Sequence, residues 1–146
     1  MKYQNSIVIQ KPIDVVIALF DNPDNMKHWQ PGLQCFELIK GVAGQPGAVS
    51  KLTYQMGNRL VEMTETITER NLPTIFAGIY ESKNVWNLVS NSFIDNGDGS
   101  TTWITETEFK FSGFMMKAIS TLMPGAFKKQ SQKFLDDFKL FAENSN

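Results

Sequence analysis

Cysteine and histidine are almost missing from this sequence: one of each, Cys35 and His28, in 146 residues. A lone cysteine rules out an intramolecular disulfide, and nothing points to an oxidising compartment. One histidine and one cysteine are too few for the usual zinc and iron sites, so neither a metal nor another cofactor is expected. No stretch matches a Ser-His-Asp arrangement, a phosphate-binding loop, a GxGxxG turn or an HExxH helix. Charge of one sign is also lacking. The formal net charge is −1, which gives no overall field towards nucleic acid or an anionic surface. No apolar run approaches the roughly 20 residues of a membrane span. The opening residues MKYQNSIVIQ have strand alternation rather than the apolar core of a secretion signal. A cytoplasmic protein is expected, without repeat, linker or low-complexity segment. Residues 1–146 form one expected domain with a single core.

Hydrophobic residues make up 42% and charged residues 20%, the proportions of an ordinary globular protein. Residues 3–10 alternate, with Tyr3, Asn5, Ile7 and Ile9 on one face. Pro12 suits the first position of a helix, where its missing N–H is no loss. Val15, Val16, Leu19 and Phe20 then fall at helical spacing. Asn22-Pro23 starts a second short helix that reaches Trp29 and stops at Pro31-Gly32. Strand patterns follow at about 33–40, 47–56, 59–69, 74–81, 85–95 and 100–111. A long terminal helix runs from after Gly113 to about Glu143.

Two turns set the facing of the strands. Gly57-Asn58 reads as a two-residue hairpin loop. It places Met56 opposite Arg59, Tyr54 opposite Val61, Leu52 opposite Met63 and Ser50 opposite Glu65, so the apolar alternates share a face. At Asn96-Gly97-Asp98-Gly99, a two- or four-residue loop puts Trp103 opposite Ser92, Thr105 opposite Ser90, Thr107 opposite Leu88 and Phe109 opposite Trp86. A three- or five-residue loop would flip strand 85–95. Under either loop Trp103, Thr105, Thr107 and Phe109 face the terminal helix, and Ile104, Glu106, Glu108 and Lys110 face solvent.

The terminal helix carries Met115, Ile119, Leu122, Ala126, Phe134, Phe138 and Phe141 near one stripe, widened by Met116, Met123 and Phe127. Such a stripe can simply cover the sheet. Its Met-rich first half can alternatively line a cavity, because methionine adapts to varied shapes. Pro124-Gly125 interrupts the stripe. Proline removes a helical hydrogen bond and clashes with the preceding turn, so the helix should bend or restart near Met123 and open space beneath it. On the sheet, Thr105 and Thr107 are hydroxyls on a core face and need partners. They bond either to neighbours or to a ligand's polar group. Glu65 is the candidate acid–base residue, since an inward carboxylate has a raised pKa. The alternative is a rim position paired with Lys51. His28 reads as a surface or capping group, and the lysines of the terminal helix as a solvated face.

The order of elements, and two stretches of text, resemble the START-like superfamily (SRPBCC, the helix-grip fold). "IVIQKPIDVVIALFDNPDNMKHWQPGL" looks like that family's opening strand, proline-started helix and Trp-Pro turn. "DNGDGSTTWITETEFKFSGFMMKAIS" resembles its last hairpin, long strand and entry to the terminal helix. The likeness covers nearly the whole chain and is nearest to the small bacterial polyketide cyclase-like proteins. It implies an α+β helix-grip fold, with a curved antiparallel sheet of about seven strands around a long C-terminal helix and two short helices after the first strand. Members bind lipids, sterols, hormones or polyketides, and a minority are cyclases, aromatases or hydrolases. The expected partner is a small apolar or amphipathic molecule, held by Trp29, Leu52, Tyr54, Met63, Glu65, Trp86, Trp103, Thr105, Thr107, Phe109, Met115, Ile119 and Met123. Binding without chemistry is the first reading. An enzyme using Glu65, Tyr54 or a pocket hydroxyl is the second, and the scarcity of a second ionisable group near Glu65 favours binding. No nucleic-acid partner and no membrane span are expected, and the sequence leaves the oligomeric state open.

Overall fold

A computed structural model of the protein describes residues 1–145. Seven strands form one antiparallel sheet: β1 (Lys2–Ile9), β2 (Leu33–Lys40), β3 (Val49–Met56), β4 (Arg59–Asn71), β5 (Ile75–Ser82), β6 (Val85–Asp95) and β7 (Thr101–Phe111). Their spatial order is β1-β7-β6-β5-β4-β3-β2. Helix α1 (Ile13–Phe20), a single 3-10 turn (Pro23–Asn25) and α2 (Met26–Trp29) lie between β1 and β2, and α3 (Phe114–Leu122) and α4 (Pro124–Glu143) follow β7. This is the helix-grip arrangement. Pro12 caps α1 rather than opening it, in extended conformation, with its carbonyl accepting from Val16 N at 3.0 Å. The Asn22 side chain accepts from Asp24 N at 3.0 Å and fixes the start of the short turn.

The β3–β4 hairpin has the expected register throughout, with Ser50 opposite Glu65 and Leu52 opposite Met63. The β6–β7 connection takes the longest of the loops left open by the sequence. Asp95 pairs with Thr101, which leaves a five-residue loop, and Trp103 lies opposite Phe93, Thr105 opposite Asn91 and Thr107 opposite Val89. Local chemistry explains the longer loop. Asn96 N donates to Ser100 O at 3.1 Å, Asp98 accepts from Ser100 N at 3.0 Å, and Gly97 and Gly99 take φ of +81° and +85°. A side-chain-stabilised loop with two positive-φ glycines outcompetes the tighter turn. Strand β6 is therefore flipped relative to the facing that a two- or four-residue loop would give. Asn87, Val89, Asn91 and Phe93 face inwards, and Trp86, Leu88, Ser90 and Ser92 face outwards. Trp86 is thus removed from the inner wall. It lies beside Lys110, whose ammonium sits 4.6 Å from the ring centroid.

The expected break in the terminal helix is present. Met123, at φ −131° and ψ 49°, separates α3 from α4, and Pro124 is the first residue of α4. Helix α4 then lies along β1. Tyr3 Oη and Ser131 Oγ are 2.7 Å apart, Asn5 Nδ2 donates to Gln132 Oε1 at 2.9 Å, and Lys139 Nζ donates to Val8 O at 2.5 Å. At the far end of the sheet an aromatic core closes the structure. Trp103 packs on Phe138 at 5.1 Å, Trp29 on Phe138 at 5.2 Å and Phe20 on Phe93 at 5.0 Å, surrounded by Ile9, Val16, Leu135 and Ala142. Bulges in the β2–β3 and β4–β5 pairings accompany the bending of the sheet. Because α4 is fastened to β1, it leaves β3 to β5 less tightly covered.

Candidate functional site

A half-open cavity of about 400 Å³ lies where α4 stands apart from the end of β3. Its wall includes Pro31, Tyr54, Met56, Gln130, Lys133 and Phe134. The local sequence accounts for each side. Pro31-Gly32 ends α2 and turns the chain into β2. Gly32 O accepts from Gln55 N at 2.7 Å, and a Cβ on Gly32 would stand 2.9 Å from Gln55 O. On the helix side, Gln130, Lys133 and Phe134 are one helical turn apart and share a face. The Tyr54 hydroxyl donates to Gln30 Oε1 at 2.6 Å, which holds the ring against the cavity wall.

Beyond Tyr54 the inward sheet face is strongly polar. Ser50, Glu65, Asn91, Thr105 and Thr107 are buried there, with Asn5 on the neighbouring β1. Some of this polarity is satisfied within the protein. Trp103 Nε1 donates to Asn91 Oδ1 at 3.0 Å, and Asn91 Nδ2 donates to Phe76 O at 3.0 Å. Some is not. Asn5 Oδ1, Asn87 Oδ1 and Thr105 Oγ1 are buried without a protein partner, as is Trp29 Nε1. Buried polar atoms without partners are uncommon in folded proteins.

Glu65 is the one buried carboxylate among the described residues, 7% exposed. It stands opposite Ser50 on one side and Tyr80 on the other. Lys51 pairs instead with Glu62, at 3.3 Å, so the rim ion pair weighed for Glu65 does not form. Burial raises the Glu65 pKa above its ordinary value of 4.5, and interaction with the neighbouring Tyr80 hydroxyl offsets part of the rise. Burial also raises the pKa of the Tyr54 and Tyr80 phenols, and the charge of Glu65 raises both further. The two phenols are therefore neutral hydrogen-bonding groups beside a carboxyl that takes up a proton more readily than usual. Such a cluster can hydrogen-bond a polar group and can exchange a proton with it.

The candidate residues divide by position. Tyr54 and Glu65 belong to the cluster, and Leu52 and the half-buried Met63 share their sheet face. Thr105 and Thr107 are buried further along the wall. Phe109 packs on Phe111 at 5.4 Å and Phe127 at 5.2 Å. Trp29 and Trp103 are part of the closed aromatic core, as their mutual packing dictates, and do not line the cavity. Met115, Ile119 and Met123 are exposed and do not line it either. The α3 residues turned least to solvent include Met116 and Ser120, so most of the helix's apolar side looks outwards. His28 stacks on Phe141 with centroids 5.2 Å apart. Tyr80, Gln30, Asn87 and Gln130 escaped the sequence reading. Tyr80 was reachable only through its pairing with Glu65, and a bulge between Ile67 and Glu69 hides that register.

No group of three or more His, Cys, Asp or Glu side chains is placed to hold a metal among the described residues. No helix there is long and apolar enough to cross a membrane. No curated protein sequence matches the chain significantly. Solved structures do match its fold. The Zhui aromatase/cyclase from Streptomyces sp. R1128 superposes with a TM-score of 0.81 at 11% identity, over 98% of this chain and 93% of that one. A conserved protein from Geobacillus kaustophilus gives 0.81 at 16% identity, over 97% and 95% of the two chains. Norcoclaurine synthase from Thalictrum flavum, solved with dopamine and hydroxybenzaldehyde, gives 0.68 at 17% identity, over 100% and 88%. At these identities the likeness is one of fold. The family model described as polyketide cyclase / dehydrase and lipid transport matches residues 1–143, and the chain belongs to that family.

Proposed function

We propose that the protein binds a small amphipathic molecule between α4 and the sheet. The apolar body lies against Phe134 and the β3 wall, and the polar end meets Tyr54 and Glu65. The observation that carries this reading is that Tyr54 lines the half-open cavity and also belongs to the buried polar group around Glu65. Ligand sites combine an apolar wall with a few convergent polar groups in this way. Family membership supports the same class of ligand. A second reading, proton-transfer catalysis on the bound molecule, is favoured by one specific feature: a buried carboxyl flanked by two neutral phenols. Two of the structural neighbours are a cyclase and a synthase.

Gln130 is exposed and lines the cavity from α4. Gln130→Trp will fill the mouth without disturbing the core. It is expected to change unfolding free energy by less than about 0.5 kcal/mol, as surface substitutions do. Affinity for an apolar fluorescent probe is expected to fall at least about ten-fold, or about 1.4 kcal/mol. Probe titration and denaturant unfolding of the same samples check both values. Unchanged probe affinity in the folded variant means that probes bind elsewhere, and the cavity then loses its role.

A further inference from the structure

Helix α3 is amphipathic with its apolar side turned the wrong way for a core helix. Phe114 is 87% exposed, Met115 73% and Leu122 80%, with Ile119 and Met123 also exposed. They form a continuous arc on the solvent side of the helix. Isolated exposed apolar side chains are ordinary, but a contiguous patch marks a surface that meets something.

The fold gives that patch a particular setting. Strand directions bring α3, the Gly57-Asn58 turn and the Lys83-Asn84 turn to one end of the sheet. Ser112 N donates to Asn84 O at 2.9 Å and ties the start of α3 to the second of these turns. The same end carries Arg59, Lys83, Lys110, Lys117, Lys128 and Lys129, all exposed, and none in an ion pair among the described residues. The acidic groups nearby are Glu62, Glu81, Glu106 and Glu108. Lys51 meets Glu62 at 3.3 Å, and Lys2 approaches Glu108 at 4.0 Å. At the opposite end of the sheet the exposed charges are mixed, with Asp14, Asp24, Asp95 and Asp98 beside Lys27 and Lys40. A chain of net charge −1 thus gathers exposed basic side chains around an apolar helix.

We propose that the α3 end docks on an anionic lipid bilayer. The apolar arc of α3 sits at the boundary between headgroups and acyl chains, and the surrounding lysines and Arg59 lie against lipid phosphates. The helix rests in the interface and does not cross it, as short amphipathic helices with a basic rim do. A second copy of the chain fits less well, because a two-fold contact through α3 would bring two basic rims together. The inference stands on α3 and its surroundings and is independent of what the cavity holds.

Co-sedimentation with vesicles tests it, using phosphatidylcholine alone and phosphatidylcholine mixed with phosphatidylglycerol. The protein is expected to bind the mixed vesicles and to release them as salt rises. Removing each lysine should weaken binding about five-fold at low salt, so Lys117→Gln, Lys128→Gln and Lys129→Gln together should weaken it about 100-fold. Phe114→Ser with Leu122→Ser should weaken binding at least about ten-fold. These side chains are exposed, so circular dichroism and the unfolding midpoint should stay those of the parent. The lysine variant keeps the test informative if the apolar variant folds poorly. Failure to bind the mixed vesicles overturns the proposal. So does equal binding to both kinds of vesicle, or binding that survives both sets of substitutions. A dimer in sedimentation that Phe114→Ser and Leu122→Ser dissolve, with no vesicle binding, assigns the face to a second copy and also overturns it.

Discussion

Phe138→Ala is expected to lower the free energy of unfolding by about 3–5 kcal/mol, the range for removing a fully buried aromatic side chain. Phe138 is 0% exposed and touches Phe20, Trp29, Trp103 and Phe141, with ring centroids 5.1–6.2 Å apart. Its neighbours come from α1, α2, β7 and α4, so no single element can move in to fill the gap. The loss combines the lost transfer of the ring with the cavity left behind. Against a total stability of about 5–15 kcal/mol, that is a large share. Denaturant unfolding monitored by tryptophan fluorescence reads it directly. The effect should be confined to this half of the molecule. Leu122→Ala, on the exposed side of α3, should stay within about 0.5 kcal/mol. Equal losses at both positions would mean that the closed core and the open end are not mechanically distinct.

Glu65→Gln is expected to stabilise the fold near neutral pH by removing the cost of a buried charge, about 1.4 kcal/mol for each unit by which the folded pKa exceeds the unfolded one. The folded-state pKa of Glu65 is raised, so between its unfolded value near 4.5 and the higher folded value the native state holds the extra proton. The protonated carboxyl therefore contributes stability that is fully present below the unfolded pKa. That contribution is lost as pH rises through the folded pKa. Above that pH the parent buries a charge, whereas the glutamine variant buries a neutral amide of the same shape. Unfolding curves from acid to neutral pH should show the parent losing stability relative to Glu65→Gln as pH rises. Tyr54 and Tyr80 titrate far above this window and leave it undisturbed. A parent that gains on the variant as pH rises would mean that Glu65 is stabilised as an anion. Under the binding reading the variant still takes up an apolar probe; under the catalytic reading it binds but loses turnover.

How much of this was legible in the sequence depends on where local chemistry decides the outcome. The Gly57-Asn58 turn sets its own register, and with it the inward facing of Glu65 and Tyr54. The Pro124-Gly125 step announces the helix break, because proline cannot continue the hydrogen-bond ladder. The Asn96–Ser100 loop was not decidable by counting turn residues. Asp98 and Asn96 hold it open through side-chain hydrogen bonds, and the extra residue turns Trp86 out and Asn87 and Asn91 in. Tyr80 was missed for a related reason: a bulge between Ile67 and Glu69 breaks the simple alternation that would have aligned β5 with β4. The outward tilt of α3 was not legible at all. An apolar stripe states that a helix has something to cover, not whether that is its own sheet or another surface.

The proposed occupant of the space between α4 and β3 is a small amphipathic molecule. A native mass spectrum of the protein as purified, repeated after incubation with a series of fatty acids and aromatic phenols, tests it most directly. A non-covalent complex of one small molecule per chain is expected, either co-purified or formed on incubation, and much reduced in Gln130→Trp. Only the bare mass in every sample, or a complex undiminished in Gln130→Trp, would contradict it.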